Sequence, residues 1–160
     1  MNRPPPDPKD PPDVPPAPRP AETRKADTLH RLETDIDAWV ATASADGTPY
    51  LMPLSFLWTE GTLLLSTARK NPTALNLVAN PQVHLSIGET RDVVLITGTS
   101  AVVDDLPDDL TDAFAEKTGF DPRASNYPYF RVTPTRIQAW REVNEIAARD
   151  IMRGSEWLTI

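Results

Sequence analysis

Residues 66 to 73 read Ser-Thr-Ala-Arg-Lys-Asn-Pro-Thr, an order of residue types suited to holding a phosphate. Arg69 and Lys70 are adjacent cations, and Ser66 and Thr67 supply hydroxyls just before them. Asn71 is a good helix N-cap, and Pro72 at the first helical position already has helical φ. The pattern predicts a helix over 72–79 that stops before Asn80-Pro81, because a residue preceding proline is pushed out of the helical region. Its N-terminus would present unpaired N–H groups and a partial positive charge beside the two cations. A phosphate monoester fits that assembly; the plain alternative is a capped helix with two solvated charges.

Little else in the chain could do chemistry unaided. There is no cysteine, which removes disulfides, thiolate catalysis and zinc-thiolate sites. His30 falls in a polar, acidic stretch and His84 in a strand, where surface or core roles are the ordinary reading. GxGxxG, Walker, HExxH and GxSxG patterns are all missing. A Ser-His-Asp hydrolase is therefore poorly supported, and no metal site is expected. Redox chemistry on a bound cofactor asks for fewer protein side chains, because the cofactor carries the reaction.

The elements that must position the 66–73 segment are mainly β. Ala38 to Ser44 is small and β-compatible, and Asp46-Gly47 after it signals a hairpin. Pro49 opens YLMPLSFLW, whose near-continuous apolar run predicts a strand covered on both faces or curved round a barrel. Pro53 inside it cannot donate to a ladder, so it implies an edge, a bulge or a place where a ligand meets the backbone. Glu60-Gly61 turns the chain into a strand from Thr62 to Thr67, completing a meander.

Beyond the helix, strands are expected over Gln82 to Ile87 and Asp92 to Val103, with Gly98 marking a bulge. PDDLTDAFAEKT, from Pro107 to Thr118, reads as an amphipathic helix ended by Gly119, its acids a solvated face. Tyr127 to Trp140 reads as two β runs divided by Pro134. REVNEIAARDIM, starting at Arg141, is helix-compatible, with Arg141, Glu142, Glu145, Arg149 and Asp150 explained by surface pairing. Upstream, Asp27 to Asp35 predicts a short helix capped by Asp27, with Leu29 and Leu32 on one side. Trp140 and Trp157 could stack on a planar cofactor, pack in a core or meet a second copy.

Composition bounds the class. The 160 residues carry a net charge of -7 and a pI near 4.8, which argues against a nucleic-acid partner. No apolar run reaches the ~18 residues of a membrane span, and no apolar segment follows the N-terminal basic residues as a secretory signal would. A cytoplasmic protein is the default. The first twenty residues hold ten of the 18 prolines and one large aliphatic side chain, Val14. They predict a disordered proline-rich tail over 1–25, with Pro12-Asp13-Val14-Pro15 fitting a PxxP spacing, and a single folded domain over 26–160.

The order ATASADGTPYLMPLSFLW, GTLLLST, NPTALNL, NPQVHLSI, RDVVLITGTSAVV and RVTPTRIQAW resembles the pyridoxamine 5′-phosphate oxidase-like split-barrel proteins, over roughly residues 37–157. The resemblance implies a mainly β protein with a few helices (α+β), a six-stranded antiparallel split β-barrel. It also implies a homodimer that binds FMN or the deazaflavin F-420 between its subunits. Leu51, Met52, Pro53 and Leu54 would lie along the flavin ring. Ser66, Thr67, Arg69, Lys70, Asn71 and Thr73 would surround the phosphate, and Trp140 would stand near the flavin. The arginine-rich second strand and the late Arg-x-His signature of true pyridoxamine phosphate oxidases are missing, which argues against that substrate. Relatives that bind deazaflavin often carry a lysine near the position of Thr73, which places deazaflavin second to FMN. The implied activity is hydride transfer at flavin N5 with an unidentified small organic substrate. A deazaflavin-dependent reductase and a non-catalytic flavin- or haem-type binding protein are the alternatives.

Overall fold

A computed structural model describes residues 14–158; residues 1–13, which include the first half of the PxxP motif and about half of the expected tail, fall outside them. The chain runs through α1 (Ala21–Thr34), β1 (Asp37–Ala43), β2 (Pro49–Thr59), β3 (Thr62–Ser66) and α2 (Pro72–Ala79). It continues through β4 (Gln82–Glu89), β5 (Asp92–Val103), α3 (Asp108–Thr118) and a short 3-10 turn (Pro122–Ser125). β6 (Tyr129–Trp140), a second 3-10 turn (Val143–Ala148), β7 (Asp150–Arg153) and β8 (Glu156–Trp157) complete it.

The sheet order is β3-β2-β1-β4-β5-β6-β7-β8, and β3 also pairs with β6. The first six strands of that order therefore close into an antiparallel barrel, the expected split barrel, and β7 and β8 extend it. Alternation builds the interior: Ala38 and Val40 of β1, Val83, Leu85 and Ile87 of β4, and Val94 and Ile96 of β5 all point inward. β3 does not alternate because both its faces are covered. Leu63 and Leu65 face the barrel core, while Leu64 packs with Phe114 of α3 and Tyr129 of β6. Among the described residues no helix is long and apolar enough to cross a membrane.

One edge of β6 follows β5 along its length, and the other is shared: Tyr129 to Val132 pair with β3, Arg136 to Gln138 with β7. Pro134 falls in the gap between those pairings and beside a bulge, where a sheet tolerates a residue without an N–H. The two runs expected on either side of Pro134 are thus one strand of 12 residues. Gly98 does mark the bulge: it faces Pro134 while Thr97 faces Arg136. A Cβ on Gly98 would lie 2.7 Å from Val132 Cγ1 and 2.8 Å from Thr133 O, so the close approach requires glycine.

Two stretches differ from the sequence reading. α1 starts at Ala21 after Pro20, so Asp27 lies inside it rather than capping it, and ordered structure begins before residue 26. Its buried stripe is Arg24, Thr28 and Leu32, two of them polar, which hides the first half of the helix from a search for apolar periodicity. The expected helix after Arg141 is a 3-10 turn followed by β7. The reason is the use of its charges, which are tertiary partners rather than a helix surface. Asp150 accepts from Arg136, Gln138 and Arg153 and so fastens β7 to β6. Glu145 is 4% exposed and takes Nε and Nη2 of Arg19 at 3.0 and 2.9 Å, together with the backbone N–H groups of Arg19 and Arg141.

Arg19 also reaches Asp27 at 2.8 Å, and Arg24, 3% exposed, donates to the carbonyls of Ala139 and Ala148. The segment before α1 is thereby tied to the 143–148 turn. Arg19, through its side-chain hydrogen bonds, holds the Glu145 carboxyl at about 2, below its ordinary 4.5, against the opposing effect of burial. A folded-state pKa below the unfolded one means the pair's stabilisation is complete above pH 4.5 and lost as pH falls through 2. Arg19→Ala should cost about 3 kcal/mol at neutral pH, because it strands a buried charge. Urea midpoints from pH 7 to pH 2 should show the acid-side decline of the parent protein and a shallower one in the variant.

Candidate functional site

The expected phosphate segment leaves the barrel at the end of β3. Ser66 is buried and donates to the carbonyl of Pro128 at 2.8 Å, so its hydroxyl braces β3 against the segment entering β6. Thr67 is buried as well, and its Oγ1 accepts from Asn71 Nδ2 at 2.8 Å. That bond changes the role of Asn71. It stands at the N-cap of α2, yet its side chain makes no capping bond and turns back to Thr67 instead. The N–H groups in the first turn of α2 are left without a side-chain acceptor among the described residues. Thr73 is buried at 2% exposure, while Arg69 and Lys70 are exposed and enter no ion pair among the described residues. An uncapped helix end beside two exposed cations has the chemistry of a candidate anion site.

The second group of expected residues lies alongside. Phe56 to Thr59 of β2 pair with β3, whereas Pro49 to Ser55 pair with β1 alone, leaving one edge of that half open. The Phe56 N–H donates to the Ile36 carbonyl at 2.9 Å, which sets the phase of the ladder. Counting in twos, Leu54 and Met52 face β1, and the backbone groups of Leu51, Pro53 and Ser55 turn to the open edge. Pro53 therefore costs no hydrogen bond where it sits, and its carbonyl and the N–H of Leu51 are available to a ligand. The register carries this edge past the end of β3, to the level at which Thr67 begins the loop. Leu51 and Met52 are exposed, Leu54 packs on the core, and Trp39, 52% exposed, stands opposite Pro53.

Trp140 is not brought to these residues. It pairs with Val93 at the far end of β6, whereas Tyr129 at the near end pairs with Ser66. The eleven steps between Tyr129 and Trp140 amount to about 36 Å of strand path. Arg149 sits 5.5 Å over the Trp140 ring. His30 and His84 lie apart from the loop, the latter exposed on β4.

Sequence reasoning missed a pocket of about 270 Å3 on the other side of Arg69. The 103–108 segment, Thr111 of α3, Arg123, Asn126 and residues 127–129 complete its walls. Of its acids only Asp108 belongs to the helix read as a solvated face, and the closely spaced Tyr127 and Tyr129 where β6 begins were the one further hint. Arg123 is engaged by Asp121, Asp112 and Thr111. Tyr129 is 6% exposed, and its hydroxyl has no hydrogen-bond partner among the described residues. Burial, with a further contribution from Asp121, pushes that phenol above its ordinary value of 10.0.

The family model for pyridoxamine 5′-phosphate oxidase matches residues 30–141. The chain belongs to this family. No curated protein matches it by sequence. Several solved structures share the fold at low identity. An F420 reductase is 22% identical with a TM-score of 0.58, the match covering 68% of this chain and 93% of that one. A FAD-binding protein from Mesorhizobium loti is 18% identical with a TM-score of 0.59, covering 71% and 89%. HutZ, the haem storage protein from Vibrio cholerae, is 14% identical with a TM-score of 0.60, covering 83% and 99%. These likenesses bear on the family's barrel, within which the geometry of the 66–73 loop belongs to this chain.

The diverted Asn71 side chain gives a direct check. In Asn71→Asp a carboxylate at the N-cap can accept from the first-turn N–H groups, so thermal stability should hold or rise. The same charge would stand at the open helix end, so any affinity of that end for inorganic phosphate, read by calorimetric titration, should fall about tenfold or more.

Proposed function

We propose that this chain binds a flavin by its phosphate at the loop between β3 and α2, and that it transfers hydride to or from a small organic molecule. The observation that carries the reading is the α2 N-terminus, left open by Asn71 and flanked by Arg69 and Lys70. FMN is the smallest flavin that carries such a phosphate. The first-turn N–H groups of α2 and the two cations hold the phosphate. The open edge of β2 offers backbone groups from Leu51, Pro53 and Ser55 to a planar polar ring, and Leu51 and Met52 exclude water along it. When bound, the flavin supplies the hydride acceptor or donor at N5.

The reading includes a second copy of the chain. The open half of β2, with Leu51, Met52, Pro53 and Trp39 exposed, is an apolar stretch that a partner would cover. Trp140 lies a strand length from the phosphate loop of its own chain, so a tryptophan near the ring would have to come from that partner.

Replacing both Arg69 and Lys70 by Ala should weaken FMN binding about a hundredfold while changing riboflavin binding by less than threefold, read by flavin fluorescence titration. Equal losses for FMN and riboflavin would remove the phosphate assignment. Binding of deazaflavin with no measurable FMN affinity would replace FMN as the cofactor, and a stably bound flavin with no turnover against any reductant or acceptor would remove the catalytic part. Sedimentation at micromolar concentration should give a two-chain mass.

A further inference from the structure

Val40, Val94 and Ala139 turn into the core, so their chain neighbours Trp39, Val93 and Trp140 share the outward face of the sheet formed by β1, β4, β5 and β6. Val93 and Trp140 are cross-strand partners, and Trp39 stands opposite Pro53 at the open half of β2. A second copy covering that half of β2 therefore meets a face that continues across neighbouring strands to Trp140. On the flavin reading above, whatever fixes the Trp140 ring acts on the cofactor site of the other copy.

The turn that follows Trp140 is not held by apolar burial. Val143 is 76% exposed and Ile146 37%, and the 143–148 backbone is a 3-10 turn, whose hydrogen-bond geometry is poorer than that of an α-helix. Its one buried side chain is Glu145. The Glu145 carboxylate takes the Arg141 N–H, one residue past Trp140, on Oε2 at 2.8 Å. Arg19 grips both oxygens of the same carboxylate, Nε on Oε1 and Nη2 on Oε2, and its backbone N–H takes Oε1 at 2.8 Å. A two-pronged guanidinium contact fixes the plane of a carboxylate, so Arg19 aims the oxygen on which the Arg141 N–H depends. At the far end of the turn the Arg149 carbonyl accepts from the Ala139 N–H at 2.9 Å, and the Arg149 guanidinium lies 5.5 Å over the Trp140 ring. The turn thus starts and ends on the backbone either side of Trp140.

We propose that Arg19 is a positioning residue for Trp140: through Glu145 it holds the 141–149 turn closed with Arg149 on the ring, so that the segment ahead of α1 sets how Trp140 is presented to a second copy. What Trp140 meets there rests on the flavin reading above; how it is held rests on the contacts of this chain alone. Lysine does not replace Arg19 in this role, because a single ammonium carries the charge without the two parallel N–H groups.

The test is acrylamide quenching of tryptophan fluorescence in the full chain, with the Trp140 contribution isolated by subtracting the same protein carrying Trp140→Phe. In Arg19→Lys, which keeps the charge and with it most of the melting temperature, the quenching constant of Trp140 should rise about twofold or more as the turn opens, while the other tryptophans keep theirs. Arg19→Ala should raise it at least as far. Affinities for FMN and riboflavin, read by calorimetric titration, should fall together by about threefold or more in Arg19→Lys, as the misplacement of one aromatic contact predicts. A quenching constant unchanged in Arg19→Lys would overturn the two-pronged contact as the cause, and one unchanged in Arg19→Ala would overturn the positioning role itself. A rise shared by all the tryptophans would reduce Arg19 to general stabilisation and overturn it as well. Raised quenching of Trp140 with unaltered flavin affinities would remove Trp140 from the cofactor site. No binding of either flavin by the parent protein would overturn the flavin reading, while the quenching result still decides how Trp140 is held.

Discussion

The barrel is closed by one short ladder, Leu63 to Ser66 of β3 against Tyr129 to Val132 of β6. Without it the six strands would form an open sheet, with one edge of β3 and the facing edge of β6 left unpaired there. With it, three apolar side chains in a row find cover on alternate faces, two in the barrel and Leu64 beneath α3. The functional geometry depends on the same four rungs. Ser66 is the last of them and leads into the candidate loop over residues 66–73, and its partner Tyr129 forms part of the pocket wall. The hydroxyl of Ser66 locks the arrangement by donating to the Pro128 carbonyl, one residue before the ladder. Loop and pocket are neighbours because two strands far apart in sequence are forced to meet there.

Elements whose boundaries are set by local covalent chemistry were legible in the sequence. α2 begins at Pro72 and ends at Ala79, as Asn71-Pro72 and Asn80-Pro81 dictate, and α3 stops at a left-handed Gly119. The bulge at Gly98 is a steric fact that only a residue without Cβ satisfies. Elements whose inward face is polar were legible only in part, as for α1, whose second half alone was expected. α1 buries Arg24 and Thr28, and the 143–148 turn buries Glu145, so both present the hydropathy of a surface while serving as interior. Only the tertiary match between Arg19 and Glu145, 126 positions apart, makes sense of either.

The site shows the same division. A cation pair before a proline-started helix is a local signal, and the loop stands where that signal placed it. Asn71 illustrates what local reasoning cannot reach. Its type favours capping, but whether it caps depends on Thr67, four residues earlier, offering a competing acceptor. The pocket was invisible because its wall is gathered from four separate segments, none of them distinctive alone.

The phase of Pro53 has a consequence for how this protein avoids the wrong associations. An open, apolar strand edge invites another chain to add itself by backbone pairing, and repeated addition leads to aggregates. From Pro49 to Ser55 the edge is open, yet the ring at Pro53 stands where the middle N–H of the row would point outward. A regular ladder cannot grow across it. Any chain that settles on this edge must do so through side chains such as Trp39 and Leu51, a geometry that shape can make selective and that does not propagate.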